Sequence, residues 1–274
     1  MLFNRIVEVL IGEPGQENIF IPNEFRVVFN ITKTIKEDIN SCQLNIYNLK
    51  QETRDKILKP GFRVIIQAGY SNAEIISISD IIRSNIKYDI PDIITEIEAG
   101  DGARADIDID LSFEAGRPVS DVLDIVSGKL GLPVRDTGVE VNGEYLQGVS
   151  FSGSAKTALT RITRKANLTW SIQDGQLQIL SSKGTANNRA IVLNKTTGLV
   201  NRPEKLDSLQ FNENNENAGY KIKSLLNPKL EPGGIVFVES ESLTGQFKIN
   251  TVRHYGDNRG SQWNTEAEIY EQSE

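Results

Sequence analysis

The amino-acid sequence predicts a mainly β fold with an α+β insert, in which two duplicated antiparallel β-barrel modules flank a small α/β module. Three observations lead to this prediction. Strand patterns fill both ends of the chain, helical spacing is concentrated in the middle, and features of the first end recur near the second. The predicted boundaries are 1–104 for the first β module, 105–190 for the insert, and 191–274 for a linker and the second β module.

The first hundred residues predict an antiparallel sheet. Segments 26–31, 43–47, 63–68 and 75–79 are short, rich in β-branched and aromatic residues, and separated by Gly, Pro or Asn. The polar segment 51–58 predicts one short surface helix that starts after Asn48 or Lys50 and ends before Pro60-Gly61.

The middle of the chain has two periodicities. Ile107, Ile109, Leu111 and Phe113 alternate with polar residues, which predicts a strand with one acidic, solvated face. Two helices follow, over 120–130 with Ser120 as N-cap and a glycine stop at 131, and over 155–166. Segments 168–173 and 176–180 then predict a hairpin, because the Asp-Gly pair at 174–175 favours a two-residue turn.

The last third is predicted to begin as loop and to end as sheet. The chain beyond Asn187 is loop-like, including 195–204 and the polar run 212–217. Strand patterns resume at 220–225, 235–238, 246–250 and 265–270.

Three features of the two β segments recur in the same order. Pro60-Gly61 and Pro232-Gly233, each preceding an apolar strand, are 172 positions apart; Ile78 and Ile249 are 171 apart, and the Thr-Glu runs that begin at 95 and 265 are 170 apart. Unrelated antiparallel meanders can share such features singly, whereas three at nearly one offset favour a duplication. A closed ring of three chains would then present six similar positions around one axis.

Composition excludes several classes of function. The 274 residues carry a formal charge of -7, which argues against a protein that retains nucleic acid by neutralising phosphates. A single cysteine, Cys42, excludes an intramolecular disulfide and multi-cysteine metal sites, and a single histidine, His254, excludes a histidine metal cluster. The sequence also lacks a signal-peptide core and any run of about 20 apolar residues, so we expect a protein made in the cytoplasm that stays soluble unless it leaves within a larger assembly.

The residues that could support catalysis or metal binding have simpler interpretations. His254 could act as a general base, but it precedes a polar, glycine-containing stretch and is interpreted as a solvated turn residue. Asp106, Asp108 and Asp110 could suggest a cation site, but they lack the glycine-containing loop of an EF-hand and are interpreted as a solvated acidic stripe. Cys42 is interpreted as a small core residue.

Two further motifs are weak indications of ligand binding. Lys195-Thr196 lacks the preceding glycines of a phosphate-binding loop. Trp170 could stack on a sugar but is predicted to pack against the second helix, and Trp263 is a less certain core residue. The sequence therefore predicts no catalytic, cofactor-binding or metal-binding residues and no enzymatic activity.

The chain resembles the tail-baseplate hub proteins of contractile-tailed bacteriophages and related contractile injection systems over nearly its whole length. The following segments carry the N-terminal part of the resemblance: Phe29-Asn30-Ile31-Thr32-Lys33-Thr34, Ile46-Tyr47-Asn48-Leu49, Glu52-Thr53-Arg54, and Pro60-Gly61 to Ala68-Gly69-Tyr70. The more specific C-terminal segments are Thr197-Gly198-Leu199 with Pro203-Glu204, Ser224-Leu225-Leu226-Asn227-Pro228, Pro232-Gly233, Gly245-Gln246-Phe247-Lys248, His254-Tyr255-Gly256-Asp257 and Trp263-Asn264-Thr265.

The resemblance implies a non-enzymatic homotrimer whose paired tube-like modules form a pseudo-six-fold ring. Such a hub joins the hexameric tail tube to the trimeric central spike and forms part of the DNA-delivery channel. Its implied partners are the tail tube protein, the central spike protein, other baseplate proteins and, as a further candidate, the tape measure protein; DNA only passes through. The implied location is the virion tail baseplate, after assembly in the host cytoplasm. Some hub-associated proteins carry a fused lysozyme domain, for which this chain has no room.

Two alternatives remain open at this stage. A carbohydrate-binding or adhesin module would use Trp170, Trp263 and loops such as 85–89 to contact a glycan. A muralytic hydrolase is a more distant alternative, because the sequence offers no paired carboxylates or nucleophile to perform the reaction.

Overall fold

A computed structural model describes residues 4–37, 40–101, 107–181, 184–186, 189–206 and 219–271. The N-terminal β unit contains β1 (Arg5–Gly12), β2 (Ile19–Ile21), β3 (Val27–Thr34), β4 (Ser41–Tyr47), α1 (Gln51–Ile57), β5 (Arg63–Tyr70), β6 (Asn72–Asp89) and β7 (Asp92–Gly100). The insert contains β8 (Asp108–Phe113), β9 (Arg117–Pro118), α2 (Val119–Leu130), β10 (Glu144–Tyr145), β11 (Val149–Ser154), α3 (Ala155–Lys165), β12 (Leu168–Gln173) and β13 (Gln176–Ser181). The C-terminal β unit contains β14 (Ala190–Leu193), β15 (Glu204–Lys205), β16 (Gly219–Leu225), β17 (Ile235–Glu239), β18 (Thr244–Asp257) and β19 (Trp263–Glu271).

The N-terminal β unit is an antiparallel sheet in the order β3-β4-β7-β6-β5-β1-β2. Alternate residues of its strands are buried, as the period of two predicts. Side chains from distant strands of this path, such as Val7 and Phe29, belong to one apolar cluster. The sheet therefore curls around its own core. β1 and β2 were not among the predicted strands; the predicted strands and the short helix are confirmed.

The insert has a separate apolar core, made by α2, α3 and the small sheets beside them. β8 pairs with β11, and β12 pairs with β13 around a turn in which Asp174 and Gly175 both have positive φ. The predicted helices and hairpin are confirmed, but α2 begins at Val119, with Pro118 rather than Ser120 at the N-cap position. No side chain caps this helix; the backbone N–H of Val119 donates instead to the carbonyl oxygen of Gly143 at 3.0 Å. Gly131 ends the helix in the left-handed conformation, as predicted.

The C-terminal β unit surrounds a third apolar cluster. Its strands follow the order β15-β16-β19-β18-β17-β14. The prediction that the chain from 187 to 204 is all loop was wrong in two places, because β14 pairs in parallel with β17 and β15 pairs with β16. The polar run 212–217 lies outside the described residues.

The two β units share one strand order. Five strands of each unit correspond: the order β3-β4-β7-β6-β5 in the N-terminal unit matches the order β15-β16-β19-β18-β17 in the C-terminal unit. Every neighbouring pair in these two orders is antiparallel. Both long third strands have a register irregularity at the same place, between Ile81 and Arg83 and between Ile249 and Thr251. The predicted duplication of the β unit is confirmed.

The registers correct one of the sequence matches. Val64 lies opposite Ser79, and the equivalent Val236 lies opposite Phe247, so β6 and β18 correspond at an offset of 168 residues. Ile249 therefore matches Ile81, not Ile78, because the connections that precede the two third strands differ in length.

The two β units form one continuous sheet. The second half of β18 lies between β19 and β3, with Thr251 opposite Thr34 and Asp257 opposite Val28. None of the helices in the described ranges is long and apolar enough to cross a membrane.

Candidate assembly surfaces

The insert is attached to the N-terminal β unit through the β12–β13 turn. The carboxylate of Asp174 lies 2.7 and 2.8 Å from the ammonium of Lys33, whose side chain is only 5% exposed. Asp174 also accepts a hydrogen bond of 3.0 Å from the backbone N–H of Ile78. One turn residue thus connects β3 and β6 to the insert.

A second, fully buried set of polar groups lies beside this ion pair. The amide nitrogen of Asn40 donates to Asp101 at 3.1 Å, to the carbonyl oxygen of Ile172 at 2.7 Å and to the side chain of Gln173 at 3.1 Å. Asp101 also accepts the backbone N–H of Asp174 at 3.0 Å. These bonds satisfy polar groups that would otherwise be costly to bury, so they fix the insert in one orientation.

The Asp101 carboxyl has an unusual protonation equilibrium. Burial raises its pKa to about 7, against the opposing effect of the hydrogen bond from Asn40; the negative charge of Asp174 raises it further and Lys33 lowers it. One of its oxygens, Oδ1, is buried without a hydrogen-bond partner among the described residues. A carboxyl that is protonated part of the time suits this position, because the neutral form costs less to bury.

The insert also contacts the C-terminal β unit. Arg135 forms a 2.7 Å ion pair with Glu231, and the side-chain amide of Gln178 donates to the carbonyl oxygen of Pro232 at 3.3 Å. The backbone N–H of Ala186 donates to the carbonyl oxygen of Gly233 at 2.7 Å. The insert is therefore held by both β units.

The junction between the β units, which we call the β3–β18 seam, combines strand pairing with aromatic packing. The rings of Phe29 and Trp263 pack edge to face with their centroids 5.3 Å apart. Arg26 forms an ion pair of 2.8 Å with Asp257, which holds the pKa of that carboxyl below its usual range despite the opposing effect of burial. Gly256 lies against both rings, where an added Cβ would be 2.5 Å from Trp263.

An exposed strand pair extends from the N-terminal β unit. The second half of β6, residues 83–89, pairs with β7 on one side, and within the described ranges no strand pairs with its other side. Its tip exposes two large apolar side chains, Tyr88 at 69% and Ile90 at 93%. Apolar side chains exposed at a free sheet edge are typical of a contact surface.

The prediction that His254 is a solvated turn residue was wrong. His254 lies inside β18, 1% exposed, with Nδ1 2.9 Å from the hydroxyl of Thr265. Burial, with a smaller effect of Lys33, lowers its pKa to about 3, so the ring is neutral at pH 7. The Thr265 hydroxyl accepts the N–H of Asn227. His254 therefore supports the β16–β17 connection, and its burial separates it from any substrate in solution.

The acidic stripe shows no metal-site geometry where it is described. Asp108 and Asp110 are exposed on β8, opposite Ser154 and Ser152, and Asp106 lies outside the described residues. Groups of three or more His, Cys, Asp or Glu that could hold a metal ion do not occur in the described ranges.

The remaining candidate residues have structural roles. Cys42 is 2% exposed in the N-terminal core, as predicted, and burial raises its pKa to about 12. Lys195 forms an exposed ion pair of 2.6 Å with Glu241. Trp170 is 3% exposed and donates to the hydroxyl of Thr160 on α3, which confirms its predicted packing. Trp263 is 1% exposed. Neither indole can stack on a sugar, so two of the three elements of the carbohydrate-binding alternative are buried. The third, 85–89, was predicted as a loop but forms the exposed end of β6.

Local sequence patterns do not reveal the residues that join the three parts. Lys33, Asn40 and Gln173 resemble ordinary polar positions at strand ends, yet Lys33 and Asn40 are each 4% exposed and Gln173 is 2% exposed. Their burial depends on contacts between residues more than 100 positions apart, such as the Lys33–Asp174 pair. The one local indication is the Asp174-Gly175 turn, whose tight geometry projects a carboxylate from the hairpin.

The fold of this chain is similar to those of solved phage tail proteins and of a secretion-system component. The chain has a TM-score of 0.65 with a 43 kDa tail protein of prophage MuSo2 from Shewanella oneidensis, at 15% identity over 96% of both chains. It has a TM-score of 0.66 with a tail protein of Neisseria meningitidis MC58, at 12% identity over 98% of this chain and 97% of the other.

A third structure extends the fold similarity beyond phages. The Escherichia coli protein c3393, a type VI secretion component described as structurally similar to the T4 tail proteins gp27 and gp5, gives a TM-score of 0.64 at 12% identity. The alignment covers 96% of this chain and 77% of c3393. At these identities the similarity establishes the fold alone.

The chain belongs to the family described as baseplate hub gp41, whose model matches residues 6–269. A comparison with curated proteins gives no match. Family membership assigns the chain a structural role in the phage tail baseplate, in association with other tail and baseplate proteins.

Proposed function

We propose that this protein is a non-enzymatic, trimeric hub that joins the hexameric tail tube to the trimeric central spike. Three chains would place their six β units in a pseudo-six-fold ring around the axis of the tail. The insert would project from this ring and contact neighbouring baseplate proteins. In this proposal residues 1–104 and 191–274 carry the two tube-like modules, and residues 105–190 carry the insert.

The shared strand order of the two β units carries this proposal. A three-fold assembly can present six similar binding positions only if each chain supplies two equivalent units. The β3–β18 seam already joins two such units side by side through a continuous antiparallel ladder. Repeating that junction between chains would produce a closed ring instead of an isolated pair.

The proposed partners are the tail tube protein on one face, the central spike protein on the other, and other baseplate proteins at the periphery, with the tape measure protein as a further candidate in the lumen. The ring would assemble in the cytoplasm of the host bacterium and end in the virion. DNA would pass through the ring without specific binding.

The formal charge of -7 has a role in this proposal. A lumen with excess carboxylates repels DNA phosphates, so the genome can pass without adhering. A surface potential calculated for the assembled ring should be negative along the central wall. A strongly positive wall would contradict this part of the proposal.

Electron cryomicroscopy of intact tails tests the proposed function directly. We expect three copies of the chain around the axis, between the last tube ring and the spike, with the N-terminal and C-terminal β units alternating. Copies located away from the axis, or any number other than three, would refute the proposal. Light scattering of the purified chain alone cannot replace this experiment, because the mass of a complex in solution does not locate the chain within the tail.

A further inference from the structure

The duplication leaves one strand of the N-terminal β unit without the neighbour that its counterpart has. In the C-terminal β unit, residues 251–257 of β18 lie between β19 and β3. The equivalent residues of β6, 83–89, pair with β7 only. The outer edge of this half of β6 therefore has free backbone donors and acceptors along its length within the described ranges.

A second edge without a partner strand among the described residues is that of β15, at one end of the sheet. β15 occupies the position in the C-terminal unit that β3 occupies in the N-terminal unit, because each pairs with the next strand in its own unit. β3 has β18 on its other side, whereas β15 ends the strand order. Each chain thus has one edge like that of β18 and one edge like that of β3, and in the described part of the chain no strand pairs with either edge.

We propose that the free edge of β6 pairs in an antiparallel ladder with β15 of a second copy of this chain, in the register of the β3–β18 seam. This inference rests on the proposed ring and identifies the strands that close it. The seam supplies the register through two correspondences. β6 matches β18 at an offset of 168 residues, and β3 matches β15 at an offset of 174.

The transferred register makes specific residue pairs. In the seam, Tyr255 lies opposite Asn30 and His254 lies opposite Ile31. Between chains, Lys87 takes the place of Tyr255 and Glu204 of the second copy takes the place of Asn30, so Lys87 lies opposite Glu204. In the adjacent pair, residue 86 lies opposite residue 205 of the second copy. Two residues farther along the same face, residue 89, an aspartate, comes opposite residue 202, an arginine.

The charges are complementary at the positions that the transferred register places opposite each other. Lys87 and Glu204 have opposite charges, as do Asp89 and Arg202, and all four are exposed. Arg202 forms an exposed ion pair with Glu241 at 3.3 Å within its own chain, which an exchange of partners would replace. A register shifted by one residue would place Lys87 opposite Lys205, and like charges directly opposite destabilise a ladder.

The geometry of the contact favours a closed assembly. The two edges are different surfaces, so the contact is heterologous and can only build a ring or an open filament. Because it copies the seam, each contact repeats the same rotation from one β unit to the next. Six units related by nearly the same rotation close as three chains.

Disulfide trapping tests the pairing and its register. Residues directly opposite in an antiparallel ladder have Cα atoms about 4.5–5.5 Å apart, within the range that a disulfide spans. We therefore expect the variant K87C/E204C to form covalent dimers and trimers under mild oxidation, seen by non-reducing denaturing electrophoresis. The matched control Y88C/E204C displaces one cysteine by a residue, to the opposite face, and should give at least about ten-fold less product. Wild-type protein controls for Cys42, which is buried.

Charge reversal provides an independent measurement. K87E or E204K alone should raise the concentration needed for half-maximal association about five-fold per interface, and the double variant K87E/E204K should restore association. Sedimentation velocity measures the association, and thermal melting checks that each variant folds.

The outcomes separate this inference from the proposed function. A chain that trimerises but gives equal cross-linking in both cysteine variants, or none, overturns the strand assignment and leaves the ring intact. A chain that neither associates nor cross-links at any concentration overturns the β6–β15 pairing as a self-association surface. The position of the chain in intact tails then decides the proposed function separately.

Discussion

Replacement of Asp174 by Asn should weaken the attachment of the insert to the N-terminal β unit without disturbing the hairpin that carries it. Asp174 has a φ of 54°, a conformation that Asn tolerates well, so D174N keeps the turn geometry. The Asn side-chain oxygen can still accept the N–H of Ile78. The variant therefore removes chiefly the charge that faces Lys33.

The expected cost follows from the burial of the lysine. The side chain of Lys33 is 5% exposed, and removing one partner of a buried ion pair costs about 3–5 kcal/mol. The Asp174 charge raises the pKa of Asp101, so its removal lets Asp101 ionise more readily and compensate part of the lysine charge. We expect a loss of about 3 kcal/mol for D174N, and recovery to within about 1 kcal/mol of wild type in K33M/D174N, which removes both charges.

Urea unfolding monitored by tryptophan fluorescence measures this effect. Trp170 reports on the insert and Trp263 on the β3–β18 seam, and both indoles are buried. A loss of about 3 kcal/mol corresponds to a fall of roughly 6–12 °C in melting temperature for a chain of this size. The reasoning is refuted if D174N unfolds within about 0.5 kcal/mol of wild type, or if K33M/D174N is no more stable than D174N.

Three further predictions concern single positions. The pKa of Asp101 is about 7 in the folded chain, above the value near 3.9 in the unfolded chain, so the stability that Asp101 contributes is present below about pH 4 and is lost as the pH rises through 7. Between pH 5 and pH 8 the wild type should therefore lose stability relative to D101N in urea titrations. Parallel stability curves for the two proteins would contradict this. Gly256→Ala would place a Cβ 2.5 Å from the buried indole of Trp263 and should lower the free energy of unfolding by about 1–3 kcal/mol in thermal melting. The control Gly128→Ala places its Cβ in open space on α2 and should raise the free energy of unfolding by about 0.5–1 kcal/mol. Equal effects of the two substitutions would disprove the packing argument. Cys42 should resist thiol reagents at pH 8 until the chain is unfolded in urea, since burial raises its pKa to about 12; rapid labelling of native protein would show that the site opens.

Local patterns predicted much of the secondary structure. The hairpin around Asp174-Gly175 was predicted because two residues with positive φ suit an Asp-Gly pair, and α3 because its apolar residues recur at helical spacing. The duplication was detectable because antiparallel strands with the same neighbours preserve similar turn residues, such as the Pro-Gly pairs at 60 and 232.

Predictions failed where a long-range partner decides the structure. β14 has only four residues and exists as a strand because β17 pairs with it in parallel. His254 was assigned to a turn because a polar, glycine-containing stretch follows it, but pairing with β3 continues the strand through Asp257. In each case the stabilising hydrogen bonds come from residues far away in the sequence, so local propensity is a weak guide.

The sequence alone determined the mainly β class, the duplicated unit, the helical insert and the resemblance to baseplate hubs, because these depend on periodicity, turn chemistry and residue identity within short segments. Tertiary structure decided that Lys33, Asn40 and Asp101 become a buried junction, that His254 is a neutral core residue, and that β6 and β15 each have an edge that no other described strand covers. Burial and strand pairing bring together residues more than 200 positions apart in the sequence, such as Asn30 and Arg253. Such contacts leave no local pattern, because only the folded chain brings their members together.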